Sequence, residues 1–143
     1  MKYIFSLFFT FSLAFIIFLI YKGNFSISSQ ELISLTNGER TIPLEKSDCL
    51  SLRAAERAKE LVVNDYFGHV SPLTGKNPAW GLIDSCVDYS YAGENLIKDF
   101  KKAKDVHFAL MSSKSHRDNI VNVEFHQIGI GCYENVCVEF FSD

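Results

Sequence analysis

An uncharged apolar segment near the N-terminus divides the chain into two parts that must fold differently. Residues 3–21 contain no charged side chain, and a lysine stands on each side of them. As a helix this segment is about 28 Å long, close to the thickness of a bilayer's hydrocarbon core. We therefore expect residues 1–22 to form a transmembrane anchor or a signal peptide, followed by a linker at 23–28 and one domain at 29–143.

The length of the segment favours an anchor over a cleaved signal. Signal-peptide cores usually run about 7–15 residues, and this apolar run is longer. Ser26-Ile27-Ser28 offers a small-x-small cleavage site, although Lys22 interrupts the approach to it. We expect an uncleaved membrane anchor and keep cleavage followed by secretion as the alternative. Either one places residues 23–143 on the extracellular or cell-envelope side.

The exported part is acidic, and its charge excludes some partners. It keeps all 17 acidic residues and 12 of the 14 basic ones, so its formal charge is about −5. There is no basic stripe of the kind that binds nucleic acid, and no polybasic run for anionic lipid. We expect membrane contact only through residues 3–21, and an extracellular ligand or partner for the domain.

All four cysteines lie in the exported part, at Cys49, Cys86, Cys132 and Cys137. An even number of cysteines in an oxidising compartment favours disulfides, and four cysteines allow three pairings. Cys132 and Cys137 flank a hairpin turn at Glu134-Asn135, which favours a bond between them and leaves Cys49 for Cys86. A zinc site made of the four thiolates is the alternative, but the sequence contains no Cys-x-x-Cys pair.

Helical signals come early in the exported part, and strand signals come late. Helix starts are predicted at Ser28 or Ser29, at Ser47 or Asp48, at Pro78, and over residues 103–111. Strands are predicted over 89–97, 125–132 and 136–141, and residues 112–117 are expected to be a polar helix exit. On the second helix we expect solvated charges at Arg53, Glu56, Arg57 and Glu60. This order predicts an α+β fold with helices packed on a small, mainly antiparallel sheet.

The candidate functional residues are one carboxylate and two histidines. Glu94 stands between Gly93 and Asn95 at the entry to a strand, and His69 and His116 lie on either side of it in the sequence. We expect Glu94, His69 and His116 to converge in one cleft. A hydrogen-bonded cluster that only ties loops together is the structural alternative. The remaining histidines, His107 and His126, are expected to have packing or surface roles, with the same cleft as the alternative for His126.

Two chemistries fit such a cluster. Two imidazoles and one carboxylate can hold a zinc ion with an open position for water, and zinc lowers the pKa of that water toward about 7. Without metal, Glu94 could orient one histidine as a general acid or base. We identify no nucleophile, because the cysteines are expected to be bonded and no serine stands in a nucleophile elbow.

Five segments resemble, in order, the motifs of the CAP superfamily (cysteine-rich secretory proteins, antigen 5 and pathogenesis-related proteins), and most closely its bacterial SCP-like branch. They are residues 35–40 (LTNGER), the alanine-rich helix 50–61, residues 66–72 (YFGHVSP), the Gly-Glu-Asn motif at 93–95, and residues 115–120 (SHRDNI) with the strand at 128–131. The resemblance implies an α-β-α sandwich with a cleft lined by two histidines and one or two acids. Position by position, these are His69, Glu94 and His116.

The resemblance is incomplete at three positions. The second acid of many members is matched by Trp80, a tryptophan before the second histidine by Leu110, and a glycine beside that histidine by Ser115. A three-membered cluster is therefore expected in place of four.

The function predicted from the sequence is that of a non-enzymatic extracellular module that binds a ligand or partner through the His/Glu cleft. The resemblance adds lipids or sterols and divalent metals to peptides and envelope components as ligand classes. No cofactor is required, and zinc is compatible with the cleft. The alternative is a zinc-dependent hydrolase acting on cell-envelope peptides or glycans.

Overall fold

The structure is a computed structural model that describes residues 27–143. The predicted anchor or signal peptide at 1–22, and residues 23–26 of the linker, lie outside the described residues. Within residues 27–143, none of the helices combines the length and the apolar character needed to cross a bilayer.

The described part contains five helices and four strands, and two of the three long strands lie near the C-terminus. In chain order the elements are α1 (Ser29–Gly38), β1 (Glu45–Lys46), α2 (Asp48–Val63), α3 (Ala79–Asp84), β2 (Ala92–Lys98), α4 (Ala103–Ser112), α5 (Lys114–Ile120), β3 (Gln127–Tyr133) and β4 (Val136–Ser142).

Serine side chains begin the first two helices, as the sequence predicted. The Ser28 hydroxyl accepts a hydrogen bond from the Glu31 amide at 3.2 Å, and Ser47 accepts one from the Leu50 amide at 3.3 Å. Each bond satisfies one of the amides that lack a partner at a helix N-terminus. These caps fix where α1 and α2 enter the domain.

The sheet has four strands in the order β1-β3-β4-β2. Strand β4 pairs antiparallel with both β2 and β3, while β1 pairs parallel with β3. The predicted small, mainly antiparallel sheet is confirmed. Strand β1 was not predicted, because two residues are too few to show an alternating pattern.

Helices cover both faces of the sheet and create two hydrophobic cores. On one face Leu96 and Phe140 join a cluster with residues of α2 and α3. On the other face Ile97 and Phe141 join a cluster with residues of α1, α4 and α5. The predicted α-β-α sandwich is therefore confirmed, and consecutive residues of β2 and β4 face different helical layers.

Helix α2 lies directly on β3, at a distance that only glycine permits. A Cβ atom on Gly129 would stand 2.3 Å from the Cβ of Leu50, and one on Gly131 would stand 2.1 Å from the Ala55 nitrogen. Because α2 approaches so closely, its side chains reach the strands beyond β3. This close approach brings α2 within reach of Glu94 on β2.

The structure contains the two disulfides favoured by the sequence, Cys49–Cys86 and Cys132–Cys137. Cys132 and Cys137 are directly paired residues of β3 and β4, on either side of the turn. The other bond joins the first turn of α2 to the segment that follows α3. All four cysteines are bonded, so the thiolate zinc site is wrong.

The expectation of a polar helix exit at residues 112–117 was wrong. Ser113 is extended and separates α4 from a second short helix, α5, which carries His116. Lys114 and Asp118 pair across one turn at 2.6 Å, and Ile120 is buried. A seven-residue helix with one core residue gives no apolar periodicity from which it could be predicted.

Candidate functional site

Glu94 is the centre of a buried hydrogen-bonded cluster. Its side chain is 1% exposed, Oε1 accepts from Nε of Arg57 at 2.9 Å, and Oε2 bonds Nδ1 of His69 at 2.6 Å. The amide nitrogen of Asn77 is 3.4 Å from the same Oε2. Both oxygens of the carboxylate are therefore occupied by donors, with β2 holding it beneath α2.

Arg57 lies in the interior, although the sequence interpretation placed it among solvated charges. Its side chain is 0% exposed, and Nη2 donates to the carbonyls of Gly68 at 2.8 Å and His69 at 3.1 Å. Burial lowers the pKa of Arg57, but Glu94 and Tyr66 outweigh burial and raise it overall. The guanidinium therefore fixes both the His69 backbone and the Glu94 carboxylate that contacts its ring.

The sequence did contain a signal for this burial. Positions 54, 57, 58 and 61 follow the spacing of a buried helix face, and Ala54, Ala58 and Leu61 are buried together with Arg57. The charged character of Arg57, next to Glu56 and Glu60, concealed its place on that face. A buried arginine needs an acidic partner, and in the structure that partner is Glu94.

Tyr66 and Glu60 extend the cluster toward the surface. The Tyr66 hydroxyl accepts from Nη1 of Arg57 at 2.6 Å and donates to Glu60, whose carboxylate oxygens are both 2.7 Å away. Nη1 of Arg57 also contacts Glu60 directly. Burial and the bond with Glu60 raise the pKa of Tyr66. The loop that leads to His69 is thereby held against α2.

His116 approaches the cluster from the other helical layer, on α5. Asn119 of the same helix donates to the Glu94 carbonyl at 3.2 Å and to the Asn95 side chain at 2.9 Å, while Asn95 donates to the His116 carbonyl at 3.3 Å. Burial, and secondarily the charge of His69, lowers the pKa of His116. These hydrogen bonds fix α5, which carries His116, against the strand that carries Glu94.

A second buried carboxyl group, Glu139 on β4, was missed in the sequence. It pairs with Asn95 across the strands, and its Oε2 accepts from the Asn95 amide at 2.9 Å. Its Oε1 has no hydrogen-bond partner among residues 27–143, and burial raises its pKa to about 7. The available signal was a single acid in the otherwise continuous apolar run of a strand that is buried on both faces.

The other residues singled out in the sequence lie on several different elements. Trp80 is partly exposed on α3, Leu110 is buried, and Ser115 is on α5 beside His116. His107 contacts Glu39 at 3.1 Å, and so joins α4 to the end of α1. His126 precedes β3, and its amide donates to the Ser142 carbonyl.

The hydrogen bonds of the cluster determine which side-chain atoms remain available to a ligand. Glu94 bonds Nδ1 of His69, which leaves Nε2 as the free ring nitrogen, and the His69 side chain is 50% exposed. Glu94 itself is committed to Arg57 and His69. Residues 27–143 contain no group of three or more histidine, cysteine or acidic side chains arranged to hold a metal ion. The groups that can meet a ligand are therefore the two imidazoles.

The chain is similar in sequence to known proteins. A family model described as the cysteine-rich secretory protein family, CAP, matches residues 41–141. The uncharacterized protein YkwD of Bacillus subtilis (strain 168) is 35% identical over 116 residues, which cover 77% of this chain and 45% of that protein. The chain thus spans less than half the length of this relative.

Two solved structures have a similar fold. One is an extracellular protein containing a SCP domain from Bacillus anthracis str. Ames, with a TM-score of 0.71, 26% identity and coverage of 79% of this chain and 39% of that chain. The other is an outer surface protein from Borrelia burgdorferi, with a TM-score of 0.65, 23% identity and coverage of 80% of this chain and 87% of that chain.

Proposed function

Because the chain belongs to the cysteine-rich secretory protein family, CAP, we propose that its domain is a non-enzymatic binding module outside the cytoplasm. It engages an extracellular ligand or partner through His69 and His116. Two disulfides support an oxidising location. The Bacillus anthracis neighbour, 26% identical, is described as extracellular.

The observation that carries this proposal is the double engagement of Glu94 by Arg57 and His69. For Glu94 itself to act as a catalytic base, one of its oxygens would have to reach the proton that it removes. Both oxygens of Glu94 are occupied by buried or partly buried donors, at 2.9 and 2.6 Å. Glu94 therefore positions His69, and the imidazoles provide the binding groups.

Zinc and related divalent metals are one ligand class that this pair can accept. A carboxylate that bonds one nitrogen of a histidine ring orients the other nitrogen for a metal, and Glu94 has this relation to His69. The lowered pKa of His116 keeps its ring neutral to lower pH, as metal binding requires. Two imidazoles suit a reversibly bound ion whose remaining positions are filled by water or by a partner.

The same contact favours one second candidate, a zinc-dependent hydrolase acting on envelope peptides or glycans. Bound zinc would supply an activated water with a pKa near about 7. Catalytic zinc sites generally have three protein ligands, whereas this site offers two imidazoles with Glu94 engaged by Arg57. Binding is therefore the better-supported function.

Calorimetric titration of the full chain in detergent micelles with zinc chloride tests the proposal. We expect saturable binding in the wild type, and its loss in both His69→Ala and His116→Ala. The same proteins are incubated with purified cell-wall fragments, and we expect no release of peptides or sugars. Zinc-dependent release that disappears in His69→Ala would establish the hydrolase instead. Absence of saturable binding in the wild type would contradict zinc binding both by the binding module and by the hydrolase.

A further inference from the structure

Glu139 is a buried acid on β4 whose presence hydrophobic packing does not explain. The residue is 0% exposed, and its Oε1 atom has no hydrogen-bond partner among residues 27–143. Its Oε2 atom accepts a hydrogen bond from the Asn95 amide at 2.9 Å. Burial penalises the charged form of a carboxyl group, and an unmade hydrogen bond adds to that cost. A group of this kind in a native core calls for a role beyond stability.

Within residues 27–143, no titratable side chain pairs with this carboxyl group. On α1, α4 and α5, which cover this face of the sheet, His107 and His116 are partly buried and the other titratable side chains are exposed. On the neighbouring strands, Glu94 and Tyr133 face the α2 layer, and Lys98 is exposed. The group that reaches this carboxylate is therefore an amide.

That amide, Asn95, connects Glu139 to helix α5. Its nitrogen donates both to Glu139 and to the His116 carbonyl, at 2.9 and 3.3 Å. Its oxygen accepts from the Asn119 amide at 2.9 Å, and Asn119 also donates to the Glu94 carbonyl at 3.2 Å. These hydrogen bonds form an amide relay from Glu139 to α5. Because the amide nitrogens donate and the oxygens accept, the carboxylate at one end fixes the orientation of both amides.

Helix α5 has only a small apolar contact with the core. It is seven residues long, and Ile120 is its one buried residue. The hydrogen bonds to Asn95 therefore matter for its position on β2. Reversal of the Asn95 amide would turn its nitrogen toward the Asn119 nitrogen and break the bond to the His116 carbonyl. The position of His116 thus depends on the acceptor that Glu139 supplies.

We propose that Glu139 is a positioning residue of the histidine site, which acts through Asn95 and Asn119 to hold His116 against the strand that carries Glu94. A carboxylate accepts a stronger hydrogen bond than a neutral group, so the relay is firmest when Glu139 is ionised. The ordering of His116 accounts for a buried acid that costs stability. This inference rests on the proposed function, because it treats His116 as a zinc-binding group.

Two-dimensional NMR spectra of the full chain in micelles test the relay without zinc. Burial raises the pKa of Glu139 to about 7, against the opposing effect of the Asn95 bond. We expect the side-chain amide signals of Asn95 and Asn119 to shift between about pH 6 and 8. The transition should be absent in Glu139→Gln and retained in His116→Ala, which separates it from titration of the imidazole. Identical amide titrations in the wild type and Glu139→Gln would overturn the proposal.

Zinc calorimetry on the same proteins measures the effect on the histidine site. Glu139→Leu removes the acceptor and should weaken zinc binding about tenfold at about pH 8, the lower end for loss of an outer-shell partner. Glu139→Gln keeps an oxygen without the charge, so we expect a loss of about fivefold at that pH and none at about pH 6. Glu124→Gln, at an exposed acid before β3, is the matched control and should bind zinc like the wild type.

Asn119→Ala distinguishes the relay from a direct attraction between the buried charge and zinc. It breaks the relay and leaves the carboxylate in place. We expect about tenfold weaker zinc binding, and no further loss when Glu139→Leu is added, because both changes remove the same connection. A roughly hundredfold loss in the double variant would show independent effects and contradict the relay. Circular dichroism establishes that each variant is folded.

The two measurements separate this inference from the proposed function. If the wild type binds no zinc, the proposed metal binding fails, and the NMR titration still decides whether Glu139 orients the two amides. If the wild type binds zinc and folded Glu139→Leu binds it equally well, the positioning role is wrong and the proposed function stands.

Discussion

Nε of Arg57 donates to Oε1 of Glu94 at 2.9 Å, and neither side chain is more than 1% exposed. The two residues belong to different layers, α2 and β2, so the pair connects a helix to an edge strand of the sheet. The other carboxylate oxygen reaches His69. The fold therefore supports the candidate site through a buried charge pair.

The first prediction is that removal of the arginine is strongly destabilising. Arg57→Met leaves the Glu94 carboxylate buried without its main counter-charge, and breaking one side of a buried pair costs about 3–5 kcal/mol. Urea unfolding monitored by circular dichroism measures this loss of unfolding free energy. The double variant Arg57→Met/Glu94→Leu should recover much of it, because no unpaired charge then remains.

Arg53→Met is the matched control for this prediction. Arg53 pairs with Glu56 on the same helix at 2.8 Å, where both side chains are partly exposed to solvent. An exposed pair of this kind contributes about 0–1 kcal/mol. Equal losses of unfolding free energy for Arg57→Met and Arg53→Met would show that the buried pair contributes no more to stability than the exposed pair.

The second prediction concerns the role of Glu94 in zinc binding. Glu94→Gln removes the carboxylate that bonds Nδ1 of His69, and loss of such a partner typically reduces metal affinity about 10–100-fold. Calorimetry with zinc chloride measures the change. Glu60→Gln is the control, because Glu60 contacts Arg57 and Tyr66 but neither imidazole. An unchanged affinity in Glu94→Gln would contradict the positioning role.

Features that repeat along the chain were predictable, and features that depend on a partner from another layer were not. The serine caps of α1 and α2 and the β3–β4 turn could be predicted from the local sequence, and the turn favoured the Cys132–Cys137 bond. The position of Arg57 on the buried face of α2 is a local signal, but its partner is an acid 37 positions away, which no local window contains. Helix α5 and strand β1 are too short to show a repeating apolar pattern in the sequence.

The third prediction tests the close packing of α2 on β3. Gly129→Ala places a Cβ 2.3 Å from the Leu50 Cβ, so helix and strand must separate. Overpacking usually costs about 1–3 kcal/mol, and a contact with a rigid backbone belongs at the upper end of that range. Gly38→Ala is the control, because nothing lies within 4 Å of its added Cβ. In thermal unfolding, Gly129→Ala should show a large loss of stability and Gly38→Ala should show none.

The fourth prediction ranks the two disulfides. Cys49–Cys86 closes a sequence separation of 37, and Cys132–Cys137 closes one of 5. In the chain-entropy account, the longer loop contributes roughly 4 kcal/mol and the shorter one roughly 2 kcal/mol. Chemical unfolding of the paired Cys→Ser variants measures both contributions. A larger loss on removal of Cys132–Cys137 would contradict this ranking.

The fifth prediction is a gain of stability at neutral pH on replacing Glu139. Burial raises its pKa to about 7 from an ordinary value of 4.5. A raised pKa in the folded state means that its stabilising contribution is fully present below about pH 4.5 and is lost as the pH rises to about 7. The loss is on the order of 3 kcal/mol, from about 1.4 kcal/mol for each pKa unit.

Glu139→Gln removes this loss, because the neutral amide still offers an oxygen to Asn95 at the same position in β4. Its unfolding free energy relative to the wild type should rise between about pH 4.5 and 7 and then remain constant. Urea unfolding at about pH 4.5, 6 and 8 measures the difference. Glu124→Gln, at an exposed acid before β3, should show no such trend, and a flat difference for Glu139→Gln would mean that the carboxyl group ionises normally in the core.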